Sequence, residues 1–157
     1  VIFPFTWIII LPLNYLIDTL VLRLTMKHLN IENRKEIYKM TILKTWLFGF
    51  LADFIGAALL LIAPFGLSEH VNDNSTFGII VDKISQIMIN PFDNIYSIVI
   101  TIVAVIITAY FIYLFNYRFA LKKAFEEGSL DDKQMKKIAL SMAVFTAPYV
   151  FLLPAIY

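Results

Sequence analysis

Two aspartates inside otherwise apolar stretches are the residues of this sequence best placed to do chemistry. Asp18 lies in Leu-Ile-Asp-Thr and Asp53 lies in Leu-Ala-Asp-Phe. Placing a carboxylate at the centre of a membrane helix costs about 2.5 to 3.5 kcal/mol on insertion scales, so a compensating interaction is expected. A carboxyl group in such a position can bind a cation, exchange a proton or pair with a basic side chain.

Further oxygen-bearing side chains recur at helical spacing near these acids. Asn14 precedes Asp18 by one helical turn and therefore shares its face of a helix. Gly49, Asp53 and Gly56 follow one another along a second face, where small residues allow a neighbouring backbone to approach. The predicted ion or proton pathway draws on all four apolar stretches and consists of Asn14, Asp18, Asp53, Thr108, Tyr113 and Thr146.

The same acids also have a purely structural explanation. Arg23 follows Asp18 by five residues, about one and a half turns of a helix. Arg118 directly follows the third apolar stretch. Either guanidinium could form an ion pair with a buried carboxylate, which would then fix the register of packed helices. The sequence leaves the functional and the structural explanation open.

Other reactive chemistry has little support in the sequence. The chain contains no cysteine, which rules out thiolate nucleophiles and cysteine metal ligands. Glu69, His70, Asp73 and Asp82 are scattered without the spacing of a metal site, so neither a metal nor a cofactor is predicted. Neither intramembrane aspartate has the Gly-x-Gly-Asp context of presenilin-like proteases, and no Ser/His pair stands out. The protein is therefore predicted not to be an enzyme.

The composition indicates that these polar residues are carried by membrane helices. Of the 157 residues, 60% are hydrophobic and only 16% are charged, which is far from the norm for a soluble domain. The apolar residues form blocks of about 20, long enough to cross a hydrocarbon core of about 30 Å. The 13 basic and 12 acidic residues nearly cancel, so a nucleic-acid partner is not indicated.

The sequence predicts an all-α integral membrane protein, a bundle of four transmembrane helices in one domain. The first stretch lacks the basic segment and small-residue cleavage site of a signal peptide, so it is expected to remain as a helix. Pro148 is expected to kink the fourth helix. The predicted spans are residues 3–22, 45–65, 95–117 and 138–157.

Basic residues are sorted between the three connections. Residues 23–44 and 118–137 carry nearly all of the Lys and Arg outside the spans, whereas the connection 66–94 has only Lys83. By the positive-inside rule the first and third connections are cytoplasmic, and both ends of this chain lie on the outer side. The Ile-, Lys- and Asn-rich character suggests an AT-rich bacterial genome and hence a bacterial cytoplasmic membrane.

Two connections are expected to contain helices of their own. Gly128 can end an extension of the third helix, and Ser129 is expected to cap the fourth, which gives a cytoplasmic helical hairpin. Residues 77–89 place apolar side chains at helical spacing and predict a short interfacial helix between the second and third spans. No repeat relates the two halves of the sequence.

Two functions fit this pattern. Four short-looped helices with acids near mid-depth predict a small channel or transporter for a cation or proton. Because four helices enclose little space, a homo-oligomer or partner membrane subunits are expected. The alternative is a noncatalytic membrane subunit, or an accessory or immunity protein, that binds a larger membrane complex through small-residue faces. If the first hypothesis holds, Asp53→Asn should abolish flux in proteoliposomes without unfolding the protein.

Overall fold

The computed structural model describes residues 4–68 and 90–153, and no strand occurs within these two ranges. The predicted all-α class is confirmed. The predicted interfacial helix at 77–89 and the acidic segment with Glu69, His70, Asp73 and Asp82 lie outside the described residues. In chain order the elements are α1 (Pro4–His28), α2 (Arg34–Ser68), α3 (Ile95–Phe115), a π-helical segment (Asn116–Ala120), α4 (Lys122–Glu126), α5 (Asp132–Phe145) and a 3-10 turn (Tyr149–Leu152).

Four helical stretches are long and apolar enough to cross a membrane, as the sequence predicted. Three of them begin or end well outside the predicted spans, because a hydrogen-bonded helix continues through charged and polar residues, most of them good helix formers, until a cap stops it. α1 therefore runs to His28 rather than residue 22, α2 begins at Arg34 rather than residue 45, and α5 begins at Asp132 rather than residue 138. The four stretches are Ile8–His28, Arg34–Leu60, Ile95–Ala120 and Asp132–Leu152.

Pro148 ends the fourth helix instead of kinking it, which corrects the sequence-based expectation. α5 ends at Phe145, Thr146 is its C-cap, and Pro148 precedes the 3-10 turn. Proline has no N–H to donate, and its ring would clash with the carbonyl of Val144 if the helix continued. The fourth stretch is thus a helix followed by a tighter turn, not one continuous helix over 138–157.

α1 ends in a Schellman motif centred on Asn30. Asn30 has a φ of 52°, in the left-handed region that asparagine tolerates better than most residues. Its N–H donates to the Lys27 carbonyl at 3.1 Å, and the Ile31 N–H donates to the Met26 carbonyl at 3.1 Å. Met26 and Ile31 are buried in the same apolar core, so the turn is anchored as well as hydrogen-bonded.

α4 ends in a second Schellman motif at Gly128, the residue expected from the sequence to end an extension of the third helix. Its φ is 73°, its N–H donates to the Phe125 carbonyl at 3.0 Å, and the Ser129 N–H donates to the Ala124 carbonyl at 2.9 Å. The hairpin turns at Asn30 and Gly128 therefore share the same pair of backbone hydrogen bonds, those of a Schellman motif.

The N-cap of α5 is Asp131, not Ser129 as the sequence analysis expected. The Asp131 carboxylate accepts the Gln134 N–H at 2.7 Å, and the Gln134 side chain accepts the Asp131 N–H at 3.0 Å. This reciprocal pair is a capping box. Ser129 lies two residues earlier, within the Schellman turn, where its N–H donates to the Ala124 carbonyl.

Gly128→Ala is expected to lower the free energy of unfolding by about 1 kcal/mol, through backbone conformation alone. A Cβ added at Gly128 would meet nothing within 4 Å, so steric clash plays no part. Gly128→Asn should cost less because asparagine accepts the left-handed conformation. Denaturant titration of the purified protein in detergent measures both, and equal losses for the two variants would contradict this explanation.

Contacts divide the described residues into two compact units. The first contains both hairpin turns and an apolar core that includes Leu22, Met26 and Ile138, all fully buried. In the second, one face of α3 is buried, with Thr101 and Thr108 on it. Within the described residues, the first unit consists of 4–52 and 109–147, and the second of 53–68, 90–108 and 148–153.

Candidate functional site

Asp18 lies on the buried face of α1 inside the first unit, where it is 6% exposed. Asn14, one turn earlier, is half-buried. A Cβ placed on Gly49 would lie 3.6 Å from Asp18 Oδ2, which is ordinary van der Waals distance. The carboxylate of α1 therefore lies close to the backbone of α2 at Gly49, where even an added Cβ would make an ordinary contact.

Arg23, predicted as a possible ion-pair partner of a buried acid, lies over the ring of Tyr38. The Arg23 guanidinium is 4.3 Å from the ring centroid, a cation–π contact between α1 and α2. The Tyr38 hydroxyl lies 3.2 Å from Thr19 Oγ1 and 3.3 Å from the Tyr15 hydroxyl. These polar groups lie in the interface of the first hairpin and fix the register of its two helices.

Trp46 makes two further contacts between α1 and α2. Its indole N–H donates to the Leu11 carbonyl at 3.2 Å. Its ring meets the Tyr15 ring edge-on, with centroids 6.1 Å apart and planes at 84°. Such edge-to-face contact is a preferred aromatic geometry. α1 and α2 are thus held together along the level of Tyr15 and Asp18.

Two other buried oxygens in the first unit were not predicted as site residues. Thr45 and Asn116 are each 1% exposed. Thr45 Oγ1 and Asn116 Oδ1 have no hydrogen-bond partner in the part of the chain that the structure describes. Asn116 begins the π-helical segment, and π-type irregularities in α-helices often mark functional sites.

The sequence contained a partial signal for both residues. Thr45 lies one turn before Gly49 and so extends the small-residue face of α2 toward its N-terminus. Asn116 is an amide at the end of a strongly apolar stretch. Residue type and spacing, however, do not show whether a hydroxyl or amide finds a partner, and this is what distinguishes these two.

In the second unit, Asp53 is half-buried and its Oδ1 atom has no hydrogen-bond partner among the described residues. Thr108 is fully buried and donates its hydroxyl to the Ala104 carbonyl at 2.8 Å. A Cβ on Gly56 would collide with the Thr108 hydroxyl and lie 3.0 Å from the Phe151 ring. The structure thus brings α2 and α3 into backbone-close contact at Gly56.

The remaining predicted residues lie in the first unit. Thr146 is half-buried and donates its hydroxyl to the Met142 carbonyl at 2.8 Å. Tyr113 stacks on Tyr117, with centroids 5.9 Å apart and planes at 6°. Arg118, the second predicted ion-pair partner, is exposed on the π-helical segment.

Tyr117 belongs to a second polar cluster, at the start of α5. The Tyr117 hydroxyl donates to Asp132 Oδ1 at 2.9 Å, and Lys136 Nζ lies 2.7 Å from Asp132 Oδ2. Lys136 also lies 5.9 Å from the centre of the Tyr117 ring. Tyr113, through its stacking on Tyr117, is therefore part of this second polar cluster.

The ligands available in the interior are oxygens. Hydroxyl, amide and carboxylate oxygens suit hard cations and protons. Across residues 4–68 and 90–153, no three or more His, Asp or Glu side chains are grouped as metal ligands. No known protein family matches the chain, and neither a curated protein nor a solved structure matches it, so its function has to be argued from these oxygens.

Proposed function

We propose that the protein is an integral membrane protein that moves a cation or a proton through the interior of its helical bundle. The observation that carries this proposal is the carboxyl group of Asp18, which is buried in the first unit instead of facing the apolar outer surface. A carboxyl group inside a membrane bundle is costly to place there and is a functional candidate by default.

The outer surface of the four apolar helices supports a bilayer as their surroundings. Large apolar side chains are exposed on every one of them, and Ile8, Phe54, Ile106 and Leu140 are all more than half exposed. In water such a surface would be a severe aggregation liability, whereas in lipid it is the expected exterior. We place the chain in a bacterial cytoplasmic membrane, with the Lys- and Arg-rich turns on the cytoplasmic side.

The chemistry of the interior favours cations and protons over anions. Asp18 in the first unit and Asp53 in the second are both carboxyl groups, whose oxygens attract positive charge. In a low-dielectric interior a bound cation or a proton lowers the cost of a carboxylate's charge. Because four helices enclose little space, we propose that the conducting form is a homo-oligomer or includes partner membrane subunits.

Ion flux into proteoliposomes tests this function. Asp18→Asn and Asp53→Asn should each reduce Na⁺ or H⁺ flux to the level of empty liposomes, because each removes the charge that compensates the moving ion. Asp93→Asn is the matched control, since Asp93 is exposed before α3 and should not affect flux. Size-exclusion elution of all three variants at the wild-type volume shows that they are folded. Wild-type flux in both interior variants would remove the acids from the mechanism.

A second candidate is a noncatalytic subunit or accessory protein of a larger membrane complex. It is favoured by the hydroxyls of Thr101, Thr108 and Thr146, which all donate to carbonyls of their own helices, as in a packed scaffold. Purification in mild detergent separates the two. Stoichiometric recovery with other membrane proteins supports the scaffold, whereas a self-associated protein that conducts alone supports transport.

A further inference from the structure

The basic side chains of the two hairpin bends differ in whether an acid neutralises them. The first bend, residues 23–44, contains six Lys and Arg with two Glu, whereas the second, residues 118–137, contains six with four Asp and Glu. At the second bend three lysines have a carboxylate of their own helix at 2.7 to 3.6 Å, in the pairs Lys122–Glu126, Lys123–Glu127 and Lys136–Asp132. No Lys or Arg of the first bend has an ion pair with any described residue. The first bend therefore presents positive charge that the described chain does not neutralise.

Arg23 of the first bend is fixed in position by Tyr38. Its guanidinium lies 4.3 Å from the centre of the Tyr38 ring, and the Tyr38 hydroxyl lies 3.2 Å from Thr19 Oγ1 in the same helix as Arg23. Arg23 is nevertheless exposed. A guanidinium has five N–H donors, and one that lies over a ring can still present donors in its plane to an anion.

Two contacts define how α1 and α2 are aligned beside this bend. Arg23 contacts Tyr38, and Tyr15, eight residues earlier in α1, contacts Trp46, eight residues later in α2. The two helices therefore run antiparallel, and equal steps away from a contacting pair keep residues opposite each other. Only residues 29–33 separate α1 from α2, so this alignment continues to the bend.

Lys27 and Arg34 lie one helical turn closer to the bend than the Arg23–Tyr38 contact. Lys27 follows Arg23 by four residues in α1, and Arg34 precedes Tyr38 by four residues in α2. Each therefore lies on the same face of its helix as the residue in that contact. Both side chains are exposed. Arg23, Lys27 and Arg34 thus place three positive charges along one side of the first bend.

The face of α1 that carries Arg23 and Lys27 becomes apolar toward the middle of the span. Leu20 and Leu16 precede Arg23 by three and seven residues, which places them on the same face of the helix. They are 58% and 61% exposed, so described parts of the protein leave most of each side chain uncovered. A molecule that covers this face needs an anionic end beside the bend and an apolar chain along the leucines.

An anionic phospholipid combines these two properties. Phosphate accepts hydrogen bonds from guanidinium and ammonium groups, and basic residues beside a membrane helix attract anionic lipids. A zwitterionic headgroup would bring a further positive charge next to three cations. We propose that the first bend binds an anionic phospholipid, with Arg23, Lys27 and Arg34 on its phosphate headgroup and Leu16 and Leu20 along an acyl chain. This inference goes beyond the transport function and requires only that the helices lie in a bilayer.

Native mass spectrometry of the purified full chain in detergent tests the site by lipid titration. Phosphatidylglycerol, which has a net negative charge, is the probe, and phosphatidylcholine, whose charges cancel, is the neutral comparison. The ratio of lipid-bound to lipid-free protein gives the dissociation constant of the first bound lipid. Phosphatidylglycerol should bind about ten-fold more tightly than phosphatidylcholine, because its headgroup adds no positive charge to the three cations.

Two double variants with the same change in net charge separate a site from general electrostatic attraction. Lys27→Gln with Arg34→Gln removes two cations of the proposed site, and Lys122→Gln with Lys123→Gln removes two paired cations of the second bend. The first double variant should bind phosphatidylglycerol about 30-fold more weakly than the wild type, since each Lys or Arg beside an anionic headgroup contributes about a five-fold gain in binding. The second should bind it like the wild type.

A charge-conserving variant and thermal unfolding show whether a loss of binding comes from misfolding. Lys27→Arg with Arg34→Lys keeps both charges and should bind phosphatidylglycerol like the wild type. All of the substituted positions are exposed, so every variant should unfold at the wild-type temperature when no lipid is added. In excess phosphatidylglycerol the wild type and the charge-conserving variant should be stabilised, and Lys27→Gln with Arg34→Gln should be stabilised less.

Several results would overturn the lipid site. Equal binding of the two lipids by the wild type would show that the headgroup charge is not recognised. Equal losses in the two glutamine double variants would show general attraction to a basic protein. Displacement of the lipid by an equimolar amount of glycerol phosphate would mean that the bend binds a soluble phosphate. The titration measures no flux, so each of these outcomes leaves the transport proposal to its own experiment.

Discussion

Gly56→Ala is expected to destabilise the second unit strongly, whereas Gly49→Ala is expected to be tolerated. A Cβ at Gly56 would collide with the Thr108 hydroxyl and press on the Phe151 ring, so α2 and α3 would have to separate. Thr108 cannot easily yield, because its hydroxyl is bonded to its own helix. Overpacking of this kind costs about 1 to 3 kcal/mol, and Gly56→Leu should cost more and prevent recovery of folded protein.

Gly49→Ala is the control for this prediction, since it makes the same chemical change in the same helix. Its added Cβ would stand 3.6 Å from Asp18 Oδ2, a normal contact, and alanine favours helix by about 1 kcal/mol over glycine. Thermal unfolding in detergent should therefore give a lower midpoint for Gly56→Ala and a midpoint at or above wild type for Gly49→Ala. The reverse order would show that the close approach at Gly56 does not exist in the protein.

Single-cysteine labelling should place both hairpin turns on one side of the membrane, with an all-or-none outcome at each position. The chain contains no cysteine, so each introduced thiol is the only one in its variant. Glu32→Cys and Glu126→Cys lie at exposed positions beside the two turns, and Asp93→Cys lies at an exposed position before α3. The density of Lys and Arg around Glu32 and Glu126 predicts cytoplasmic exposure for both.

An impermeant maleimide applied to spheroplasts and to inverted vesicles gives the measurement. Glu32→Cys and Glu126→Cys should react in inverted vesicles only, and Asp93→Cys in spheroplasts only. Labelling of Glu32→Cys and Glu126→Cys from opposite sides would contradict the four-span topology. A chain that is recovered as a monodisperse species without detergent would contradict membrane insertion altogether.

The four apolar helices were predictable because the length of each apolar stretch can be read directly from the sequence. The residues at which these helices end were not predictable in this way. A hydropathy pattern changes where charged residues begin, whereas a helix ends where its backbone hydrogen bonds are capped. α1 therefore passes through Arg23 and Lys27 and stops only where Asn30 adopts a left-handed conformation. The capping box at Asp131 was visible as an Asp-x-x-Gln pattern, whereas Ser129, the residue expected from the sequence, lies in the preceding turn.

Residue type and spacing predicted some of the buried polar side chains, but they did not predict which groups those side chains contact. Asp18 and Thr108 were expected to be buried, and they are, Asp18 within the first unit and Thr108 within the second. The partner of a side chain depends on its rotamer and on residues distant in sequence. Spacing alone therefore did not predict that Arg23 lies over Tyr38, or that Thr45 leaves its own helix carbonyl unused. The flux experiment tests whether the two aspartates bind an ion or only stabilise the helix packing.

The turns at Asn30 and Gly128 have a consequence for biogenesis. Each one closes the last carbonyls of its helix with N–H groups from the next few residues, so neither bend needs a distant segment to complete it. We expect two helices joined in this way to partition from the translocon into lipid as a pair. The basic side chains at the bends would then never cross the bilayer, and the halves of the first unit would meet by lateral diffusion after synthesis.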